Sequence, residues 1–168
     1  MRAVTRTFLV NPPTESVKLS ARQVYNGLVA KARDERGFVP LVEDCELLEE
    51  TETGLLRRTT YKVDENSPGG VAKRPPSLEK VEFYPPTSVD YVIVAPDGGP
   101  PLARGYNIVS TGEQGELLIT FMLAFGRNGP EDTGPEAEEK AQNLFEALGR
   151  GMTTTLKLMR QLAQDGKL

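Results

Sequence analysis

Asn143 to Leu162 read NLFEALGRGMTTTLKLMRQL. Leu144, Phe145, Leu148, Met152, Leu156, Met159 and Leu162 recur at helical spacing, so they share one face of an amphipathic helix. The helix is expected from about Glu136 to Gln164, on the order of 40 Å long at ~1.5 Å per residue. Gly149 and Gly151 lie inside it, and each costs a helix interior roughly 1 kcal/mol relative to alanine. Two uses of glycine fit this position. A helix roofing a cavity sheds side chains where a guest comes nearest, and a helix packed closely on a sheet does the same.

The segment before this helix supplies the surface it covers. In ELLITFMLAF, 116–125, Leu117, Ile119, Phe121, Leu123 and Phe125 alternate with the other face, the pattern of a strand. An apolar sheet face of this kind must be covered. Further strands are expected at Val4–Val10, Asp44–Glu50, Leu55–Val63, KVEFY (80–84), SVDYVIVA (88–95) and ARGYNIVS (103–110). Asn11-Pro12-Pro13 ends the first strand, because Pro-Pro cannot continue a ladder. Ser20 is placed as the N-cap of a helix running to about Asp34, with Val24, Tyr25, Leu28, Val29 and Ala32 on its apolar face. Segment 64–80, DENSPGGVAKRPPSLEK, reads as a long Pro/Gly-rich loop, either disordered or a binding loop. Segment 127–135 reads as a second polar loop. Strands run together between two helices, which makes the class α+β in a single domain, 1–168.

Composition excludes several chemistries. The chain contains no histidine and one cysteine, Cys45. A Ser-His-Asp or Cys-His engine cannot be assembled from it, and neither His-based zinc sites nor thiolate clusters can be built. No dinucleotide or phosphate-loop motif is present, so no cofactor is expected. Net charge is −4 with scattered basic residues, which argues against a nucleic-acid partner. No apolar run approaches the ~20 residues of a membrane span, and the N-terminus lacks a signal-peptide core. A cytoplasmic protein is the expectation, and the lone cysteine fits a reducing compartment.

This order of elements, with particular words in the sequence, resembles the AtaL-like family of the START/Bet v 1-like (SRPBCC) superfamily. The words are VNPP (10–13), LSARQVYNGLVAKAR (19–33), FVP (38–40), CELLEE (45–50), LLRRTTY (55–61), VEFYPPTSVDY (81–91) and GELLITFMLAF (115–125). They run in order through essentially the whole chain. The resemblance implies a helix-grip fold, with an antiparallel sheet wrapped around the long C-terminal helix and an internal hydrophobic pocket between them. It further implies a hydrophobic small-molecule ligand, and a place among the secondary-metabolite enzymes with which some fungal members are found. It fixes neither ligand nor reaction.

Candidate site residues follow from strand parity. In Leu55–Val63, Lys62 marks the solvent face together with Leu56, Arg58 and Thr60. Leu55, Arg57, Thr59 and Tyr61 then point inward. A buried arginine needs a partner, since a lone buried charge is very costly. One extra residue in the TETG turn would set Glu49 opposite Arg57; the simple register puts Leu48 there and turns Glu49 outward. Arg57, Glu49 and Tyr61 are the expected catalytic residues, with Arg57 holding a carboxylate, enolate or polarised carbonyl of the ligand. Thr59, Phe83, Tyr91, Asn107, Phe121 and Met152 are the expected ligand-binding residues. Tyr106 is a further strand tyrosine able to present a hydroxyl. Two functions are compatible with this set. One is a cofactor-independent cyclase, isomerase or lyase of natural-product biosynthesis; the other is a non-catalytic carrier of a hydrophobic metabolite.

Overall fold

The computed structural model describes residues 2–62, 75–125 and 134–168. The elements are β1 (Arg2–Leu9), α1 (Ala21–Arg33), β2 (Val42–Thr51), β3 (Gly54–Tyr61), β4 (Ser77–Tyr84), β5 (Ser88–Ile93), β6 (Ala103–Thr111), β7 (Leu117–Phe125) and α2 (Pro135–Gln164). The seven strands form one antiparallel sheet in the order β1-β7-β6-β5-β4-β3-β2. No helix among the described residues is long and apolar enough to cross a membrane.

Local chemistry fixes the ends of these elements. Asn11 stops β1 and ties the following loop by exchanging two hydrogen bonds of 2.8 Å with the backbone of Leu19. Ser20 caps α1 as expected. Its Oγ accepts from the Gln23 amide, and the Gln23 side chain accepts from the Ser20 amide, so two otherwise orphaned donors are satisfied. The alternation read in β7 is present: Ile119, Phe121 and Phe125 are buried, and Leu117 and Leu123 pack against the core.

Both helices lie on the apolar side of the sheet. α2 packs along β1, while α1 packs over β3, β5 and β6. They meet at Gly27, where an added Cβ would stand 2.6 Å from Met159 Cγ, so the crossing requires a residue without a side chain. Val10, Leu28, Val81, Ile119, Leu156 and Met159 form the centre of the core.

Two expectations about chain organisation change. The loop expected over 64–80 lies outside the described residues as far as Lys73-Arg74, but from Ser77 the chain is strand. The inward alternation of Val81 and Phe83 continues upstream through Glu79 and Ser77, which pair with Arg57 and Thr59. Most of the polar loop expected over 127–135 lies outside the described residues. α2 is one uninterrupted helix despite its glycines. Gly149 faces β1, where a Cβ would collide with Arg6 Nη1 at 1.8 Å, and Gly151 faces open space. Neither glycine lines the buried cavity at Arg57, and Gly149 borders an open groove beside Arg6 and Arg150. Gly149 instead makes room for the Arg6 guanidinium, which lies over the rings of Phe8 and Phe145 at 5.1 and 4.6 Å.

Candidate functional site

The inward parity of β3 brings Arg57 into the interior at 2% exposure. Every one of its nitrogens is engaged. Nε and Nη2 donate to Glu79 Oε2 at 2.9 and 2.6 Å, and Nη2 also meets Glu35 Oε1 at 3.0 Å. Nη1 donates to the carbonyls of Ala32 at 2.9 Å and Lys31 at 3.3 Å. Those carbonyls belong to the last turn of α1, where no intrahelical donor remains and a cation is favoured by the helix dipole. Arg57 therefore fastens the end of α1 to the sheet. Burial opposes its charge, yet Glu35 and Glu79 outweigh that and hold its pKa above the ordinary arginine value.

Glu79 is the hub of the arrangement. It is 1% exposed, and its Oε1 accepts from Ser77 Oγ at 2.7 Å and from the Tyr61 hydroxyl at 3.1 Å. Burial first, and then the nearby carboxylates Glu79 and Glu35, push the Tyr61 phenol far above its usual range. Glu35, one residue past the C-cap Asp34, is buried as well. Burial raises its carboxyl, with Arg57 and Lys31 opposing and Glu79 adding to the rise. Lys31, four residues earlier, lays its ammonium over the Phe121 ring at 5.6 Å. Among the described residues no carboxylate comes within salt-bridge distance of it. Burial lowers its pKa, partly offset by Glu35.

A cavity of about 10 Å³ opens at this cluster, lined by Lys31, Glu35, Arg57, Tyr91 and Asn107 together with the apolar Leu28, Ala32, Val81 and Val89. That volume holds about one water. Its lining carries Lys31 and Glu35 beside the expected Arg57. Asn107 donates from Nδ2 to the Val89 carbonyl at 3.0 Å, but its buried Oδ1 has no partner. Tyr91 stacks on Phe121 with ring centroids 6.2 Å apart, and its hydroxyl has no hydrogen bond among the described residues. Burial, then Glu79 and Glu35, raise its phenol well above the usual value. The ring lies over Gly105, where a Cβ would come within 2.0 Å of it.

Arg57, Tyr91 and Asn107, all expected from the sequence, are thus brought together at one cavity, with Tyr61 one hydrogen bond away through Glu79. Phe121 and Met152 are buried in the core, and Phe83 packs against it. Thr59 is fully buried with its hydroxyl unpaired. Tyr106 falls on the opposite face from Asn107, opposite Asp90. Glu49 is a correction. A bulge between Leu47 and Glu49 sets Leu47 against Arg57 and Glu49 against Leu56, and Glu49 is exposed. The expected role of Arg57 also changes. With its donors taken by Glu79, Glu35 and two carbonyls, it has no free fork for a ligand carboxylate.

Lys31, Glu35 and Glu79 were not singled out from the sequence. Glu79 was legible by carrying the alternation of KVEFY two residues upstream. Lys31 sits three residues after Leu28 on the apolar face of its helix, a position where a charge asks for an explanation. Glu35 had no comparable signal.

A family model described as "AtaL: Acetylaranotin biosynthesis cluster protein L" matches residues 4–166. The chain belongs to the AtaL family. No curated protein matches its sequence. Solved structures of similar shape include the di-domain ARO/CYC StfQ from the steffimycin biosynthetic pathway, with a TM-score of 0.63, 14% identity, and coverage of 97% of this chain and 51% of that one. ZhuI aromatase/cyclase from Streptomyces sp. R1128 matches with a TM-score of 0.57 and 16% identity over 97% and 93% of the two chains. A STAR-related lipid transfer protein from Xanthomonas axonopodis matches with a TM-score of 0.55 and 17% identity over 86% and 81%. This AtaL-family chain spans about half the length of the two di-domain ARO/CYC proteins it matches, StfQ and BexL. At such identities the likeness concerns the fold, which is the START/Bet v 1-like helix grip.

Proposed function

We propose that this AtaL-family protein is a cofactor-free enzyme of natural-product biosynthesis. It holds a hydrophobic carbonyl compound with its polar end at the Lys31–Glu35 cavity and moves a proton there. One observation carries the reading: two titratable side chains of opposite charge, both perturbed by burial, share a cavity with a free hydroxyl and a free amide oxygen. Perturbed, enclosed acid–base pairs of this sort are what proton transfer at carbon requires. The family description, which names a biosynthesis cluster, supports the setting.

In this reading Glu35 takes a proton from the carbon next to the ligand carbonyl, while Lys31 and Tyr91 donate hydrogen bonds to the developing enolate oxygen. Ring closure, double-bond migration or loss of water can each follow from that enolate. Arg57 is a positioning residue that acts through Glu35 and Glu79, and Tyr61 holds the other oxygen of Glu79. The test needs no natural substrate. In deuterium oxide, the methyl protons of hydroxyacetonaphthone, a hydrophobic aryl ketone, should exchange faster with the protein present. Acid–base groups contribute roughly 10²–10⁴-fold, so Lys31→Met or Glu35→Gln should lose most of that acceleration. Absence of any acceleration would rule out proton transfer.

A non-catalytic carrier is the second reading, and the saturation of Arg57 favours it. The strongest charged donor in the site is already spent on protein groups. Tight binding of the ketone with no proton exchange is the outcome that selects this reading.

A further inference from the structure

The buried cluster is electrically balanced, and the balance selects the ligand. Two cations, Lys31 and Arg57, face two carboxylates, Glu35 and Glu79. Tyr61 and Tyr91, which complete the surroundings, are held neutral. The sum is zero whether the mobile proton sits on Lys31 or on Glu35, because moving it turns an ion pair into two neutral groups. A carboxylate guest would either leave one uncompensated charge in a low-dielectric interior or have to draw a proton into the cluster, and both are costly.

The unfilled hydrogen bonds narrow the guest further. The Tyr91 hydroxyl and the Lys31 amine offer donors, and Lys31 has no carboxylate in salt-bridge range among the described residues. The Asn107 Oδ1, on a side chain 4% exposed, is a buried acceptor with no donor. All three residues line the same cavity, whose 10 Å³ matches one polar group of a guest and not its carbon skeleton. Leu28, Val81 and Val89 border it and supply the apolar surroundings for the atoms next to that group.

We propose that the site selects a neutral hydroxy or enol compound through a single hydroxyl, which accepts from Lys31 and Tyr91 and donates to Asn107, and that it discriminates against the carboxylate of the same skeleton. This rests on the ligand site proposed above and adds the charge of the ligand. It also reverses the expectation from the sequence that an arginine here would hold a carboxylate.

The test compares two hydrophobic probes of one shape, hydroxyacetonaphthone and the corresponding hydroxynaphthoate, by fluorescence titration of the wild-type protein near pH 7. The neutral ketone should bind at least about tenfold more tightly, which is about 1.4 kcal/mol. With Lys31 protonated, Glu35→Gln removes one negative charge and leaves the cluster at +1, so the preference should shrink or invert in favour of the naphthoate. A melting curve establishes that the variant is folded. If it is not folded, Asn107→Leu serves instead and should weaken the ketone by about tenfold while keeping the fold. Equal or tighter binding of the naphthoate by wild type overturns the charge inference and leaves the ligand site standing. Failure of both probes to bind overturns the site itself, and this inference with it.

Discussion

Glu79 Oε2 receives two hydrogen bonds from Arg57, at 2.9 Å from Nε and 2.6 Å from Nη2, with both side chains all but excluded from solvent. This contact joins adjacent strands and, through Nη1, the end of α1. Breaking a buried pair by removing one partner typically costs about 3–5 kcal/mol, because the other charge stays buried and unpaired. Arg57→Met is expected to lose that much in urea unfolding. Arg58→Met and Glu49→Gln, both at exposed positions, should stay within about 0.5 kcal/mol of wild type.

Alkaline pH should loosen the same cluster. Tyr61 and Tyr91 are held protonated in the folded protein above their ordinary value near 10, by burial first and by the carboxylates second. Their raised folded-state pKa means that their contribution is fully present below about pH 10 and lost as pH rises, since the unfolded chain ionises first. Each such tyrosine steepens the loss by about 1.4 kcal/mol per pH unit. Lys31 acts in the opposite sense up to about 10.5, so it offsets part of the fall below that value and none above it. Stability measured between pH 10.5 and 12 should fall less steeply in Tyr91→Phe than in wild type.

The glycines of α2 should separate in their effects. Gly151 has open space where a Cβ would go, so Gly151→Ala should stabilise by up to about 1 kcal/mol through helix propensity. Gly149→Ala must displace Arg6 from its place over Phe8 and Phe145. A cation–π contact is worth about 0.5–1 kcal/mol, so the propensity gain should be largely cancelled. Thermal melts of the two variants read this difference.

Much of this architecture is visible in the sequence because its signals are periodic. The stripe from Leu144 to Leu162 and the alternation from Leu117 to Phe125 identify the helix and the sheet face it covers. The parity of 55–62, pinned by Lys62, correctly puts Arg57 inside and Arg58 outside. The partners of Arg57 were harder to see, for physical reasons. Glu79 lies within RPPSLEK (74–80), whose prolines and charges look like loop, and only pairing with β3 makes it strand. Glu49 depended on a bulge, a one-residue event that periodicity does not report. The choice between cavity roof and close packing at Gly149 stays open in the sequence, which gives no hint that Arg6, well over a hundred residues away, occupies the space of its missing side chain.

Lys31 stands at the polar end of the proposed ligand site, and the most direct measurement observes that side chain alone. Protein labelled with ε-carbon-13 lysine gives one resonance per lysine, and Lys31→Met identifies the one in question. The Lys31 signal should titrate below the ordinary lysine value near 10.5, because burial disfavours its charge, and it should shift when hydroxyacetonaphthone is added. A Lys31 signal that titrates like the exposed lysines and stays fixed as the ketone binds would contradict the account.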